Sequence, residues 1–108
     1  MNRPVRQLRI ASNAARDLAE RAEYLRVEGS LSVARDFLTS ITHTMELLRA
    51  TPGIGKAFRV RLRPQIEFRR ITLSRPFGRW LLVYTYSETI VRIERIIHSA
   101  QNFRQFFR

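Results

Sequence analysis

The chain has 108 residues and no cysteine, and its 20 lysines and arginines against 9 acids give a net charge of +11. This length suits one hydrophobic core, so we predict a single domain over residues 1–108. Disulfide bridges and thiolate metal sites are excluded, and no apolar run reaches the roughly 20 residues of a membrane helix. We therefore expect a cytoplasmic protein with no membrane partner, no metal and no cofactor.

The positive charge is concentrated in the second half of the chain. Residues 1–50 hold 8 arginines and 6 acids, whereas residues 51–108 hold 11 arginines, 1 lysine and 3 acids. Lys56 is the only lysine. Guanidinium groups bind carboxylates and phosphates through two parallel hydrogen bonds, so this composition predicts an anionic partner, either a polynucleotide or an acidic protein.

The first half of the chain predicts a short strand followed by two helices. The strand covers residues 5–10, and Ser12 or Asn13 is a suitable N-cap for a helix that runs to about residue 27 and stops at Gly29. A second helix begins near Ser30 and runs to about residue 50. Its apolar positions form one stripe at helical spacing, namely Ala34, Phe37, Leu38, Ile41, Met45 and Leu48. The short break between the helices predicts an antiparallel hairpin.

The second half predicts strands, because apolar and polar residues alternate there. The strands cover residues 58–63, 66–73, 79–86 and 89–98, and the third is apolar enough to be central in a sheet. Simple alternation in the last strand places Val91, Ile93, Arg95 and Ile97 on one face, and Ile90, Arg92, Glu94, Ile96 and His98 on the other. Three aromatic residues at helical spacing follow, Phe103, Phe106 and Phe107.

Together these elements predict an α+β fold. It has an N-terminal strand, an antiparallel two-helix hairpin packed on a three- to four-stranded, mainly antiparallel sheet, and a short C-terminal aromatic tail. The hairpin must cover one face of the sheet to bury its apolar stripe. The other face is then left to the arginines, which predicts a basic surface for an acidic partner.

Nearly the whole chain resembles the RelE/ParE toxin superfamily of bacterial type II toxin–antitoxin modules. The matching residues are Asp17-Leu18, Ala34-x-x-Phe37-Leu38, Leu48-x-x-x-Pro52-x-x-Gly55, Arg69-Arg70, the run from Gly78 to Tyr84, and Arg95-Ile96-Ile97-His98. The resemblance implies that an antitoxin with an acidic, amphipathic tail holds the toxin in a hetero-oligomer. Such a disordered tail suits a basic groove with apolar pockets.

The superfamily contains two chemistries. RelE-like members cut mRNA on the ribosome, whereas ParE-like members poison DNA gyrase without a nuclease site. A metal-free ribonuclease needs a proton-transfer group and cations that stabilise the phosphate. Under that alternative the catalytic residues are His98, Arg95 and Arg69. Further candidates are Glu67 as a base and Arg70 and Arg92 as phosphate clamps.

Other positions favour the ParE-like branch. Many members of the superfamily carry arginine where this chain has Thr85, and neutral Gln101 and Asn102 replace charges that usually follow the histidine. The helix signature and the Pro52–Gly55 exit are also more ParE-like. We therefore predict gyrase as the target, with the ribosome and mRNA as the alternative. The predicted partner-binding residues are Arg59, Arg61, Arg70, Arg92, Trp80, Tyr84, Phe103, Phe106 and Phe107, although for Trp80 and Tyr84 a core position against the helices is favoured over an exposed one.

Overall fold

The computed structural model describes residues 5–99 and shows a helical hairpin packed on one face of a β-sheet. The elements are β1 (Gln7–Ile10), α1 (Ser12–Glu28), α2 (Leu31–Ala50), a 3-10 turn (Pro52–Ile54), β2 (Lys56–Val60), β3 (Arg63–Thr72), β4 (Trp80–Tyr86) and β5 (Ile90–His98). The predicted α+β class and both helices are confirmed. The aromatic tail predicted around Phe103, Phe106 and Phe107 lies outside the described residues.

The sheet has five strands in the order β1-β5-β4-β3-β2. The prediction of a three- to four-stranded sheet is therefore wrong in number, because β1 joins the sheet by pairing in parallel with β5. All other pairs are antiparallel, as predicted. Alternation along a sequence reveals that a segment is a strand, but it carries no information about which distant strand becomes its neighbour.

The β2–β3 connection differs from the predicted strand over residues 58–63. The chain turns at Arg61 and Leu62, and Val60 pairs with Arg63 across a tight hairpin. Pro64 then lies at the second position of β3, where a missing backbone donor is tolerated near a strand end. Arg61 is thus a turn residue, and it is exposed.

The helices are delimited by local backbone chemistry. The N-cap of α1 is Ala11, without a side-chain hydrogen bond, rather than the predicted Ser12 or Asn13. Ser30 caps α2, because its hydroxyl oxygen accepts a hydrogen bond from the Val33 amide at 3.1 Å. Between the helices, a Cβ on Gly29 would lie 2.8 Å from the Leu25 carbonyl oxygen, so only glycine fits this tight junction.

The main hydrophobic core lies between the hairpin and the sheet. The α2 stripe is buried in it as predicted, except that Leu38 lies at the margin and is 38% exposed. The sheet contributes Trp80, Leu82 and Tyr84 from β4, and also Val91, Ile93 and Ile96 from β5. We call this side of the sheet the inner face. A second buried cluster lies on the opposite, outer face and contains Val60, Phe68, Val83 and Ile97.

A β-bulge in β5 changes the predicted side-chain alternation. Val83 pairs with Arg95 and Tyr84 pairs with Ile93, which leaves Glu94 as an extra residue between them. After the bulge, Ile96 joins Ile93 in the inner core, whereas Ile97 belongs to the outer cluster. The prediction that Ile97 shares a face with Val91 and Ile93 is therefore wrong, because one inserted residue reverses the period-two pattern.

Candidate functional site

Basic side chains lie beside the apolar cluster of the outer face. Lys56 and Arg70 are cross-strand neighbours on β2 and β3, on the same side as Phe58 and Phe68 of the outer cluster. A shallow cavity of about 520 Å³ is lined by Lys56, Arg70, Thr72, Leu81 and Ser99, among others. The apolar side chains of the outer cluster are themselves buried, so the face that was expected to be left to arginines presents to solvent, from this cluster, only the half-buried Phe58 and Ile66 beside these cations.

The basic surface continues to the β1 edge of the sheet. Arg9 pairs in register with Arg92. Both side chains point to the outer face, because the preceding residue in β1, Leu8, packs against the inner core. The Arg92 Nε donates to the Glu94 carboxylate at 2.7 Å, and both Arg9 and Arg92 are exposed. Arg59 differs from these residues, because its Nη1 donates to the Pro64 carbonyl oxygen at 2.8 Å and closes the β2–β3 hairpin.

Trp80 and Tyr84 lie in the core rather than on a contact surface. Both side chains point to the inner face, which the hairpin covers, and their exposed fractions are 9% and 0%. The Trp80 ring packs edge-on against Phe37, with the ring centroids 5.5 Å apart. The structure thus places neither residue where a partner could reach most of its ring, in contrast to the predicted partner-binding role.

The Tyr84 hydroxyl connects the sheet to the loop after α2. It donates to the Pro52 carbonyl oxygen at 2.6 Å and accepts from the Gly55 amide at 2.9 Å. A Cβ on Gly55 would lie 2.5 Å from this hydroxyl oxygen, so glycine is required for the contact. Burial raises the pKa of Tyr84 above its ordinary value, although the Gly55 hydrogen bond and the Arg69 charge act in the opposite direction.

Arg69, predicted as a catalytic residue, holds the same loop. Its Nη1 donates to the carbonyl oxygens of Gly53 at 3.0 Å and Gly55 at 2.7 Å. Its Nη2 donates to Glu67 at 3.4 Å, and its guanidinium lies over the Tyr86 ring at 5.7 Å from the centroid. These contacts engage the guanidinium within the fold, together with Glu67, which was predicted as a possible base.

Arg95, the second predicted catalytic arginine, is also held within the fold. Its Nε and Nη2 donate to the two carboxylate oxygens of Asp17 at 2.7 and 2.9 Å, and the Ile96 amide donates to Asp17 at 3.0 Å. The Arg95 and Asp17 side chains are only 17% and 15% exposed. The pair joins α1 to β5 just after the bulge. The Asp17 carboxylate thus satisfies both the Arg95 guanidinium and a backbone amide of β5.

His98 lies at the end of β5 against the Trp80 ring, with the ring centroids 4.9 Å apart at a nearly perpendicular angle. The predicted face shared by His98, Arg92 and Glu94 is interrupted by the bulge at Glu94, and Arg92 forms an ion pair with Glu94. His98 is opposite Trp80 and Arg69 is opposite Tyr84, so about 13 Å of β4 separates the two candidates. The proposed nuclease residues therefore do not meet at one phosphate-sized site.

Comparison with known proteins decides the family. A family model described as the ParE toxin of the type II toxin–antitoxin system parDE matches residues 8–103. The chain belongs to the ParE toxin family. The resemblance to the RelE/ParE superfamily is thereby confirmed, and its ParE-like branch is the one supported.

Solved structures agree with this ParE fold. A chain described as belonging to the chromosomal ParDE toxin–antitoxin system from P. aeruginosa superimposes with a TM-score of 0.66 at 21% sequence identity. The match covers 87% of this chain and 96% of that one. At this identity the likeness shows the fold alone. No curated protein matches the chain at a significant level.

Two further features of this ParE-family chain bear on its chemistry. Within residues 5–99, no group of three or more histidines, acids or cysteines could hold a metal ion. Neither helix of that part of the chain is long and apolar enough to cross a membrane. Sequence reasoning missed the structural role of Asp17, because its partners Arg95 and Ile96 lie almost 80 residues away along the chain and no local pattern indicates the contact.

Proposed function

We propose that this chain is the toxin of a type II toxin–antitoxin module, that it stops bacterial growth by binding DNA gyrase, and that it cuts no RNA. One observation carries the choice of a binding mechanism over a nuclease. The two arginines that a ribonuclease site would use, Arg69 and Arg95, are bound to the loop carbonyls and to Asp17 respectively. Membership in the ParE family supports the same choice.

The basic outer face supports an acidic protein as the neutralising partner. It offers the half-buried Phe58 and Ile66 beside Lys56, Arg70 and Arg92, and this combination suits an antitoxin tail that is both acidic and amphipathic. The tail would lower the net charge of +11 on binding. The antitoxin and toxin would then form a hetero-oligomer in the cytoplasm, where gyrase is found.

The test compares the two chemistries with one purified sample. A gyrase supercoiling assay is run beside primer extension on mRNA that is being translated. We expect blocked supercoiling and intact mRNA, with the same result for His98→Ala. Cleavage within codons that disappears in His98→Ala would overturn the proposal in favour of a ribosome-dependent endoribonuclease.

A matched pair of variants separates antitoxin binding from folding in a direct binding measurement with the antitoxin. Arg92→Glu reverses an exposed charge on the outer face, whereas Arg26→Glu reverses an exposed charge on α1, whose partner is Glu23. Both change the net charge equally. We expect Arg92→Glu to weaken antitoxin binding more than Arg26→Glu does, with circular dichroism spectra of both like that of the wild type.

A further inference from the structure

Arg21 on α1 is held between two aromatic rings. Its guanidinium carbon lies 4.4 Å from the Trp80 ring centroid and 4.9 Å from the Tyr24 ring centroid. Such contacts use the flat faces of the guanidinium and leave the N–H groups at its edges available as donors. Within residues 5–99, no carboxylate lies within ion-pair distance of Arg21, and no acceptor takes a hydrogen bond from it.

This arginine lines a cleft of about 480 Å³ between α1 and the ends of β4 and β5. Asp17 and Arg95 lie in the wall, where their bidentate ion pair neutralises both charges. Glu20 is exposed at the same cleft. Arg21 therefore presents oriented donors that no acceptor in the described part of the chain uses, in a cleft whose other charged lining residues are an ion pair and one exposed acid.

We propose that this cleft receives an acidic side chain of a partner protein, and that Arg21 binds its carboxylate. Packing against the Trp80 and Tyr24 rings orients the half-buried guanidinium, so less side-chain entropy is lost when the carboxylate docks. The aromatic rings and Ile96 offer contact to the methylene groups of a glutamate or aspartate. The proposal rests on the proposed function only for the expectation that an acidic protein partner exists.

A protein carboxylate fits the cleft better than a nucleic acid does. The space suits one or two side chains, and the carboxylate of Glu20 would repel a run of phosphates. The cleft also lies between α1 and the sheet rather than on the outer face, where the basic residues lie on neighbouring strands. The acidic partner would thus have two separate contacts, an extended one on the outer face and a single anchored carboxylate here.

The test uses the only tryptophan of the chain as its reporter. The indole N–H resonance of Trp80 is followed while a short peptide of alternating glycine and glutamate is added. A glutamine version of the peptide and a single-stranded oligonucleotide serve as the comparison ligands. We expect a saturable, salt-sensitive shift with the glutamate peptide and none with the glutamine peptide. Loss of a charge-assisted, bidentate contact in Arg21→Ala should weaken binding about tenfold.

Arg16→Ala is the matched control, because Arg16 is exposed on the same helix and carries the same charge. Arg21→Lys keeps the charge but cannot form two parallel hydrogen bonds to a carboxylate. Its affinity for the glutamate peptide should therefore lie between those of the wild type and Arg21→Ala. The inference is overturned if the indole signal does not move, if Arg16→Ala weakens binding as much as Arg21→Ala, or if the oligonucleotide gives the larger shift.

A supercoiling assay run on the same samples distinguishes failure of the cleft proposal from failure of the gyrase proposal. Blocked supercoiling with an unmoved indole signal would refute the cleft and leave the gyrase proposal standing. A specific peptide shift with unaffected supercoiling would refute the gyrase proposal and support the cleft.

Discussion

The hydroxyl oxygen of Tyr84 lies 2.9 Å from the amide nitrogen of Gly55, although 29 residues separate them along the chain. The same hydroxyl donates to Pro52 at 2.6 Å, so one side chain satisfies two backbone groups of the loop after α2. Arg69 adds two further hydrogen bonds to this loop. The helix exit and the central strand are therefore one structural unit, and its parts can be tested separately.

Tyr84→Phe should lower the free energy of unfolding by about 1–3 kcal/mol, because a buried amide and a buried carbonyl lose their partner. Urea denaturation followed by circular dichroism measures the change. Tyr86→Phe is the matched control, since Tyr86 is 38% exposed and its hydroxyl has no hydrogen bond within residues 5–99. Equal stability losses in the two variants would contradict the structural role of the Tyr84 hydroxyl.

Tyr84 should also make the protein less stable in alkali. Burial raises its pKa in the folded state, so its contribution is complete below the unfolded pKa of about 10 and is lost as the pH rises through the folded value. Part of the loss of unfolding free energy above pH 10 should therefore be absent from Tyr84→Phe. Denaturation curves collected from neutral to alkaline pH test this, and parallel curves for the two proteins would exclude the effect.

Gly55→Ala should destabilise the fold by about 1–3 kcal/mol, because the added Cβ overlaps atoms that cannot move freely. It would lie 2.5 Å from the Tyr84 hydroxyl and 2.8 Å from the Arg70 carbonyl oxygen. Gly53→Ala is the control, since the nearest atom to the added Cβ would be the Tyr86 hydroxyl oxygen at 3.5 Å, an ordinary contact. Combining Gly55→Ala with Tyr84→Phe should give less than the sum of the two losses, because the overlap with the hydroxyl is removed. Strict additivity in thermal denaturation would argue against this contact.

Removal of either partner of the Asp17–Arg95 pair should cost about 3 kcal/mol, because the remaining charge stays mostly buried without compensation. Asp17→Asn and Arg95→Ala are compared with the double variant in a thermodynamic cycle by urea denaturation. We expect a coupling free energy above about 1 kcal/mol. The exposed pair Glu23–Arg26 on the same helix is the control and should couple much more weakly, because solvent screens both charges.

Antitoxin association should depend on salt and on the outer face. Raising the ionic strength should lower the association rate more than it raises the dissociation rate, because long-range attraction to a strongly cationic protein is screened. Arg61→Ser, at the exposed β2–β3 turn, should weaken this salt dependence. Stopped-flow or surface-based binding measurements at two salt concentrations provide the test. A rate that does not change with salt would show that electrostatics do not guide this encounter.

The sequence predicted those parts of the fold that depend on local periodicity. The α2 stripe from Ala34 to Leu48 lies in the core, and β4 is central as its apolar run indicated. The pairing of β1 with β5 could not be predicted, because nothing in the sequence of a strand identifies a distant neighbour. The extra residue Glu94 was equally invisible, since a bulge depends on the partner strand as much as on the bulged one.

The candidate site was less predictable than the fold for the same reason. Arg69 and Arg95 have the residue type that binds phosphate, and only three-dimensional contacts reveal that loop carbonyls and Asp17 engage them. Charge and alternation predicted arginines on the sheet face away from the hairpin, and Arg70 lies there, but beside a cluster of apolar residues that is buried rather than free. Long-range partners decide whether an arginine is a structural clamp or a binding group, and residue type does not.

The position of β5 in the sheet has a consequence for how the molecule is made. This strand is the last of the described elements, yet it lies between β1 and β4 in the sheet. It also contains Arg95, which forms the ion pair with Asp17 of α1. A nascent chain that lacks residues 90–98 exposes the edges of two strands at once and cannot join its first strand to the rest. Completion of the five-stranded sheet therefore requires nearly all of the described chain. Products that end before β5 would lack the Arg95–Asp17 contact and present unpaired strand edges, which favour aggregation and proteolysis.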